Sequence, residues 1–155
     1  MHGVLVIGIG HPDRGDDAVG LLVARRIATS GSIPLDVREC TGDLTSLLDT
    51  WTGAGGVVLI DATVGCGAPG TIHVRDLRQA PPPSGRPASN HGFGLAEAVA
   101  LGEALGTLPI AIRLVGIEGA CFDVGSAPSP AVMTAIPAAA AAARTEALRL
   151  VAALA

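Results

Sequence analysis

Tyrosine is absent from this chain, and only three aromatic side chains occur in it, Trp51, Phe93 and Phe122. A surface that stacks unpaired bases is therefore not expected. No basic cluster stands out either: 14 acidic residues against 10 basic ones leave a formal charge of −4, which speaks against nucleic-acid and anionic-membrane partners. Cysteine is sparse. Cys40, Cys66 and Cys121 are odd in number, widely spaced and without a C-x-x-C pair, so neither a disulfide framework nor a zinc knuckle is indicated, and each reads as a reduced thiol. A membrane span is missing as well, because Arg144, Glu146 and Arg149 interrupt the alanine-rich C-terminal segment. No basic region precedes the first apolar run, which is too short for the core of a signal peptide, so a cytoplasmic location is expected.

What the chain does have is enough apolar material for one core. Its 155 residues are 49% hydrophobic, which suits a single domain over 1–155, expected to act as a monomer. With aromatics scarce, that core must be Val, Leu, Ile and Ala, as in buried parallel strands covered by helices. Val4 to Ile9 is a β-branched run ending in glycines, and the spacing of Val19, Leu21, Leu22, Ala24 and Ile27 predicts a helix starting near Asp16, a good N-cap type. Leu35 to Cys40 alternates like an edge strand, and Asp43 is placed to cap a helix over Leu44 to Thr50. Val57 to Ile60 reads as a central strand that stops at Asp61, and Thr71 to Val74 as a short one. Gln79 to Asn90 holds four prolines and reads as a surface loop. A helix over Leu95 to Leu105, a last strand over Ile110 to Ile117, and a helix from Ser129-Pro130 towards Leu154, kinked or interrupted at Pro137, complete the pattern. Alternating strands and helices with short connections predict an α/β fold, a three-layer α/β/α sandwich around a mostly parallel, twisted sheet of about five strands.

The first loop crowds Asp13, Arg14, Asp16 and Asp17 together just beyond a buried strand. Three carboxylates there would repel a phosphate, and the glycines match neither G-x-G-x-x-G nor a P-loop. A buried strand followed by an acid recurs at Asp61, and Glu39 ends the second strand, so the topology predicts Asp17, Glu39 and Asp61 along one sheet edge. His91, where the proline-rich loop meets a helix start, is the fourth candidate. Two carboxylates and an imidazole with positions left open suit a borderline metal such as nickel or zinc better than calcium or magnesium. His2, His11 and His73 have weaker claims, His73 because it alternates outward on its strand.

Four stretches in order, GIGHPDRGDDAVG, LIDATVGCGAPGT, SNHGFGLAEAVALGEAL and RLVGIEG, together resemble the nickel-iron hydrogenase maturation endopeptidases across nearly the whole chain. The resemblance implies that Asp17, Asp61 and His91 are both the metal-binding and the catalytic residues of a peptidase. That enzyme would remove the C-terminal extension of a hydrogenase large-subunit precursor once nickel has been inserted. Nickel would then arrive with the substrate and serve for recognition, so the isolated protein need hold no permanent metal. Two positions depart from the family's habit: His11 stands where Asn is usual, and Glu39-Cys40-Thr41-Gly42-Asp43 replaces an acid followed by glycines and Thr. Two other readings use the same residues, a nickel-binding or delivery protein without enzymatic activity, and a nucleotide-binding domain in which Glu39 would meet a ribose.

Overall fold

The computed structural model describes residues 3–31, 33–41, 43–82 and 94–155. Five strands, β1 (Val4–Ile9), β2 (Asp36–Cys40), β3 (Gly56–Thr63), β4 (Ile72–Asp76) and β5 (Ala111–Glu118), form one sheet in the order β2-β1-β3-β5-β4. All neighbours are parallel except β4, which runs antiparallel to β5 along the edge. Four helices accompany them: α1 (Val19–Thr29), α2 (Leu44–Trp51), α3 (Leu95–Leu105) and α4 (Pro130–Leu154). The expected three-layer α/β/α sandwich is what forms. Val6, Val58, Ile60, Val115 and Ile117 pack on one face with α1 and α4, and Ile7, Leu59, Ile112 and Leu114 pack on the other with Trp51 of α2 and Ala98 and Val99 of α3. Period-two alternation in fully buried strands produces these two apolar layers.

Strand order reverses direction between β1 and β3, so their carboxyl ends open side by side where an open α/β sheet binds its ligands. Glycine sets how closely α1 approaches this point. A Cβ on Gly20 would lie 2.1 Å from the carbonyl oxygen of Ile9 and 2.4 Å from that of Ile60. Gly20→Ala must push the helix off both strands, and we expect it to destabilise the fold by about 3 kcal/mol in urea titrations, against about 0.5 kcal/mol for Ala substitution at an exposed position.

Several local expectations are corrected by the structure. The helix does not begin near Asp16: a single 3-10 turn, Gly15–Ala18, comes first, and Ala18 occupies the N-cap of α1 with no side-chain cap. The strand beginning near Val57 does not stop at Ile60, because its ladder with β5 continues through Asp61↔Gly116, Ala62↔Ile117 and Thr63↔Glu118. Pro137 does not interrupt α4, which is a single 25-residue helix with the proline inside it. The Asp43 cap holds, its carboxylate accepting from the Ser46 N–H at 2.9 Å. Among the described residues no helix is long and apolar enough to cross a membrane.

Candidate functional site

Asp17 sits half-buried on the 3-10 turn, and that turn packs against β3. Its position is set by contact with β1: a Cβ on Gly10 would lie 2.0 Å from the Asp17 carbonyl oxygen, so only glycine lets the turn fold back over the strand end. The turn closes through the Asp17 N–H donating to the Arg14 carbonyl at 3.0 Å. Asp61 lies on β3 and is 2% exposed, with one carboxylate oxygen accepting from the Ala62 N–H at 2.9 Å. Two of the three expected site residues thus come from adjacent elements at the switch point. The third, His91, lies outside the described residues, and so does most of the proline-rich loop before it. Among the described residues no three His, Cys, Asp or Glu side chains gather as a metal cage.

Asp16 takes a different part from its neighbour. Its side chain is fully buried, and its two oxygens accept from the N–H groups of Ala120 (2.7 Å), Cys121 (3.0 Å) and Ser129 (2.6 Å) and from the Ser129 hydroxyl (2.9 and 2.8 Å). Burial pushes its pKa up, but the hydrogen bonds from Ala120, Ser129 and Cys121 outweigh that and hold the carboxyl below its ordinary value. The backbone follows the same route, with the Asp16 N–H donating to the Cys121 carbonyl at 2.8 Å and Gly15 N–H to Ser126 at 3.0 Å. Asp16 therefore bolts the Asp17 turn to the segment that starts α4. Ser129 occupies the N-cap position of α4 but makes no side-chain cap there; its hydroxyl serves Asp16 instead.

Glu39 reaches the height of the edge it was expected to share but turns to the other face of the sheet. It stands in register with Gly8, on the α1 face of the sheet, where Arg25 of α1 pairs with it at 2.8 Å. A ribose contact from Glu39 would have to break this pair. Cys40 is 7% exposed and packs among the residues facing α2 and α3.

Three residues gain a place that sequence reading does not give them. On the face covered by α2 and α3, the apolar layer of Leu59 and Leu114 gives way, towards the carboxyl end, to Asp61, Thr63 and Glu118. Glu118 is 2% exposed and accepts from the Cys66 N–H. Its main chain also takes the Gly70 N–H at 2.8 Å and donates to Thr71 at 2.9 Å, so this one residue anchors the loop between β3 and β4. The available signal is an acid ending a buried apolar strand, as at Asp61. His73 does not turn outward as its alternation predicts: it lies on this same face, half-buried, with Nε2 3.0 Å from Thr63 Oγ1. Burial first and the Arg75 charge second hold its imidazole below the ordinary pKa, against the opposing pull of Glu118.

Neither a family model nor a curated protein matches the chain. Solved structures do. The chain is 24% identical to the hydrogenase maturating endopeptidase HybD from E. coli, with 93% of each chain covered and a TM-score of 0.76. It is 25% identical to the NiFe hydrogenase maturation protease HybD from Thermococcus kodakarensis, with 94% of this chain and 99% of that one covered and a TM-score of 0.69. A solution structure of an endopeptidase from E. coli is 22% identical, with 95% of this chain and 92% of that one covered and a TM-score of 0.80. The expected family resemblance is thus matched by structural likeness over nearly the whole length.

Proposed function

We propose that this chain is an endopeptidase that removes the C-terminal extension of a nickel-iron hydrogenase large-subunit precursor after nickel insertion. The observation that carries this reading is that Asp17 and Asp61 lie on two elements packed together at the switch point, in a fold shared over nearly its whole length with hydrogenase maturation endopeptidases. In this reading Asp17, Asp61 and His91 engage nickel already held by the precursor, and the metal brings the scissile bond into register. A water gives a proton to a carboxylate, for which Asp17 on the accessible turn is better placed than buried Asp61, and its oxygen attacks the scissile carbonyl carbon. The C–N bond then breaks, and the leaving nitrogen takes the proton back from the carboxyl. The metal polarises the carbonyl during the attack.

The test is mass spectrometry of purified precursor, nickel-loaded and nickel-free, incubated with the purified chain. Loss of a C-terminal fragment from the loaded precursor alone is the expected result. An unchanged mass in both arms overturns the reading, and tight nickel binding by the chain alone in that case would point to a delivery protein. Equal cleavage in both arms would retain the peptidase and remove nickel from recognition.

A further inference from the structure

Buried polar side chains are costly unless they are paired, and a fold concentrates them where chemistry needs them. Among the described residues four polar or charged side chains are buried, and one of these, Asp16, is accounted for by its bolt to α4. The other three, Asp61, Thr63 and Glu118, lie together on one face at the carboxyl end of β3 and β5. The cross-strand rows make the grouping explicit. Asp61, Gly116 and His73 form one row across β3, β5 and β4, and Thr63 and Glu118 stand in the next.

Gly116 is the gap in the middle of the first row. A Cβ there would lie 2.3 Å from His73 Cε1, 2.4 Å from Nε2 and 2.8 Å from Thr63 Cγ2. The imidazole of an edge strand therefore crosses over β5 through the space a side chain would fill and reaches β3, where it bonds the hydroxyl two residues beyond Asp61. A structural Thr at a strand end needs no such arrangement, since its hydroxyl bonds a nearby carbonyl readily. Here the hydroxyl is held by a ring from two strands away, on the same face as a candidate site carboxylate.

We propose that His73 is a positioning residue of this site: across the Gly116 gap it fixes the Thr63 hydroxyl, and with it the end of β3 that carries Asp61. The proposal rests on the peptidase reading above and adds to it a residue that sets where Asp61 stands. The imidazole acts through Thr63 and has no part in bond breaking. In the neutral ring one nitrogen is an N–H donor and the other an acceptor, so the Thr63 hydroxyl accepts from Nε2 or donates to it according to the tautomer.

The test is steady-state cleavage of nickel-loaded precursor by the full chain and by His73→Ala, His73→Gln, Thr63→Val and Gly116→Ala, with thermal melting of each. His73→Ala and Thr63→Val should each lower kcat by about 10- to 100-fold with KM little changed, as loss of an outer hydrogen-bond partner typically does. The double variant should lose no more than either alone. His73→Gln, whose amide nitrogen reaches about where Nε2 lies, should recover most of the rate, and Gly116→Ala should repeat the His73→Ala loss by displacing the ring. The ring 15N resonance of His73, measured without substrate, should shift in Thr63→Val. Wild-type kcat in His73→Ala, or losses that merely follow the melting temperatures, overturns the proposal while leaving the peptidase standing. An unshifted ring resonance overturns it too, and a wild-type chain that cuts no precursor overturns both.

Discussion

Asp17→Asn should leave nickel-loaded precursor essentially uncut, with a fall in rate of about 10²- to 10⁴-fold, the range expected when a positioned proton acceptor is lost. The substitution is nearly isosteric, and Asp17 is only half-buried on a turn that glycine contacts and backbone bonds already hold, so the melting temperature should stay close to wild type. A large loss of rate in a fully folded variant is the signature of a chemical role. Asp61→Asn should show the same loss of rate with a greater cost in stability, because its side chain is 2% exposed and its carboxylate already accepts the Ala62 N–H. Mass spectrometry of the precursor, read beside thermal melts, checks both. A near-normal rate in Asp17→Asn would remove it as proton acceptor.

The same residues show how far a linear reading reaches. Period-two patterning and buried apolar runs are properties of single segments, and they suffice to place the five strands and the carboxyl edge that Asp17 and Asp61 lie along. Asp43 was readable as a cap because its partner, Ser46, is three residues away. Asp16 was not, since its partners Ala120, Cys121 and Ser129 are more than 100 residues distant and no local rule ranks them against a helix start beside it. His73 escapes a linear reading for a related reason. On a strand at the sheet edge one face meets solvent, but here the inward row opens at Gly116, and that gap exists only once β4 and β5 are in register. Glu39 is the opposite case: it lies at the height of the site, but on the face where Arg25 takes it. Pro137 lies inside a helix that also packs Ile136, Ala139, Ala140 and Ala143 into the core, and that tertiary packing overrides a breaker's local cost.

Asp16→Ala should act on stability where Asp17→Asn acts on rate. Removing the Asp16 carboxylate strands three backbone N–H groups and a hydroxyl in a partly buried position, and these donors come from two segments, Ala120-Cys121 and Ser129 at the head of α4. An unpartnered buried donor costs about 1–3 kcal/mol, and allowing for partial relaxation the variant should lose about 3–5 kcal/mol, a large part of a domain's total stability. Ser129→Ala removes only the hydroxyl's share and should cost about 1 kcal/mol. Urea midpoints of the three proteins check that order. The pH dependence gives an independent reading. Since the folded carboxyl titrates below its ordinary value of 3.8, the ionised form is the one the native state binds, and its contribution is fully present above the unfolded pKa. It is lost as pH falls through the folded pKa, so wild type should weaken progressively below about pH 4. Asp16→Asn, which presents an amide donor to a site built from donors, should start less stable and lack that component of the acid loss. Parallel acid profiles for wild type and Asp16→Asn would mean that this carboxylate does not secure the turn to α4, and that the geometry of Asp17 has another origin.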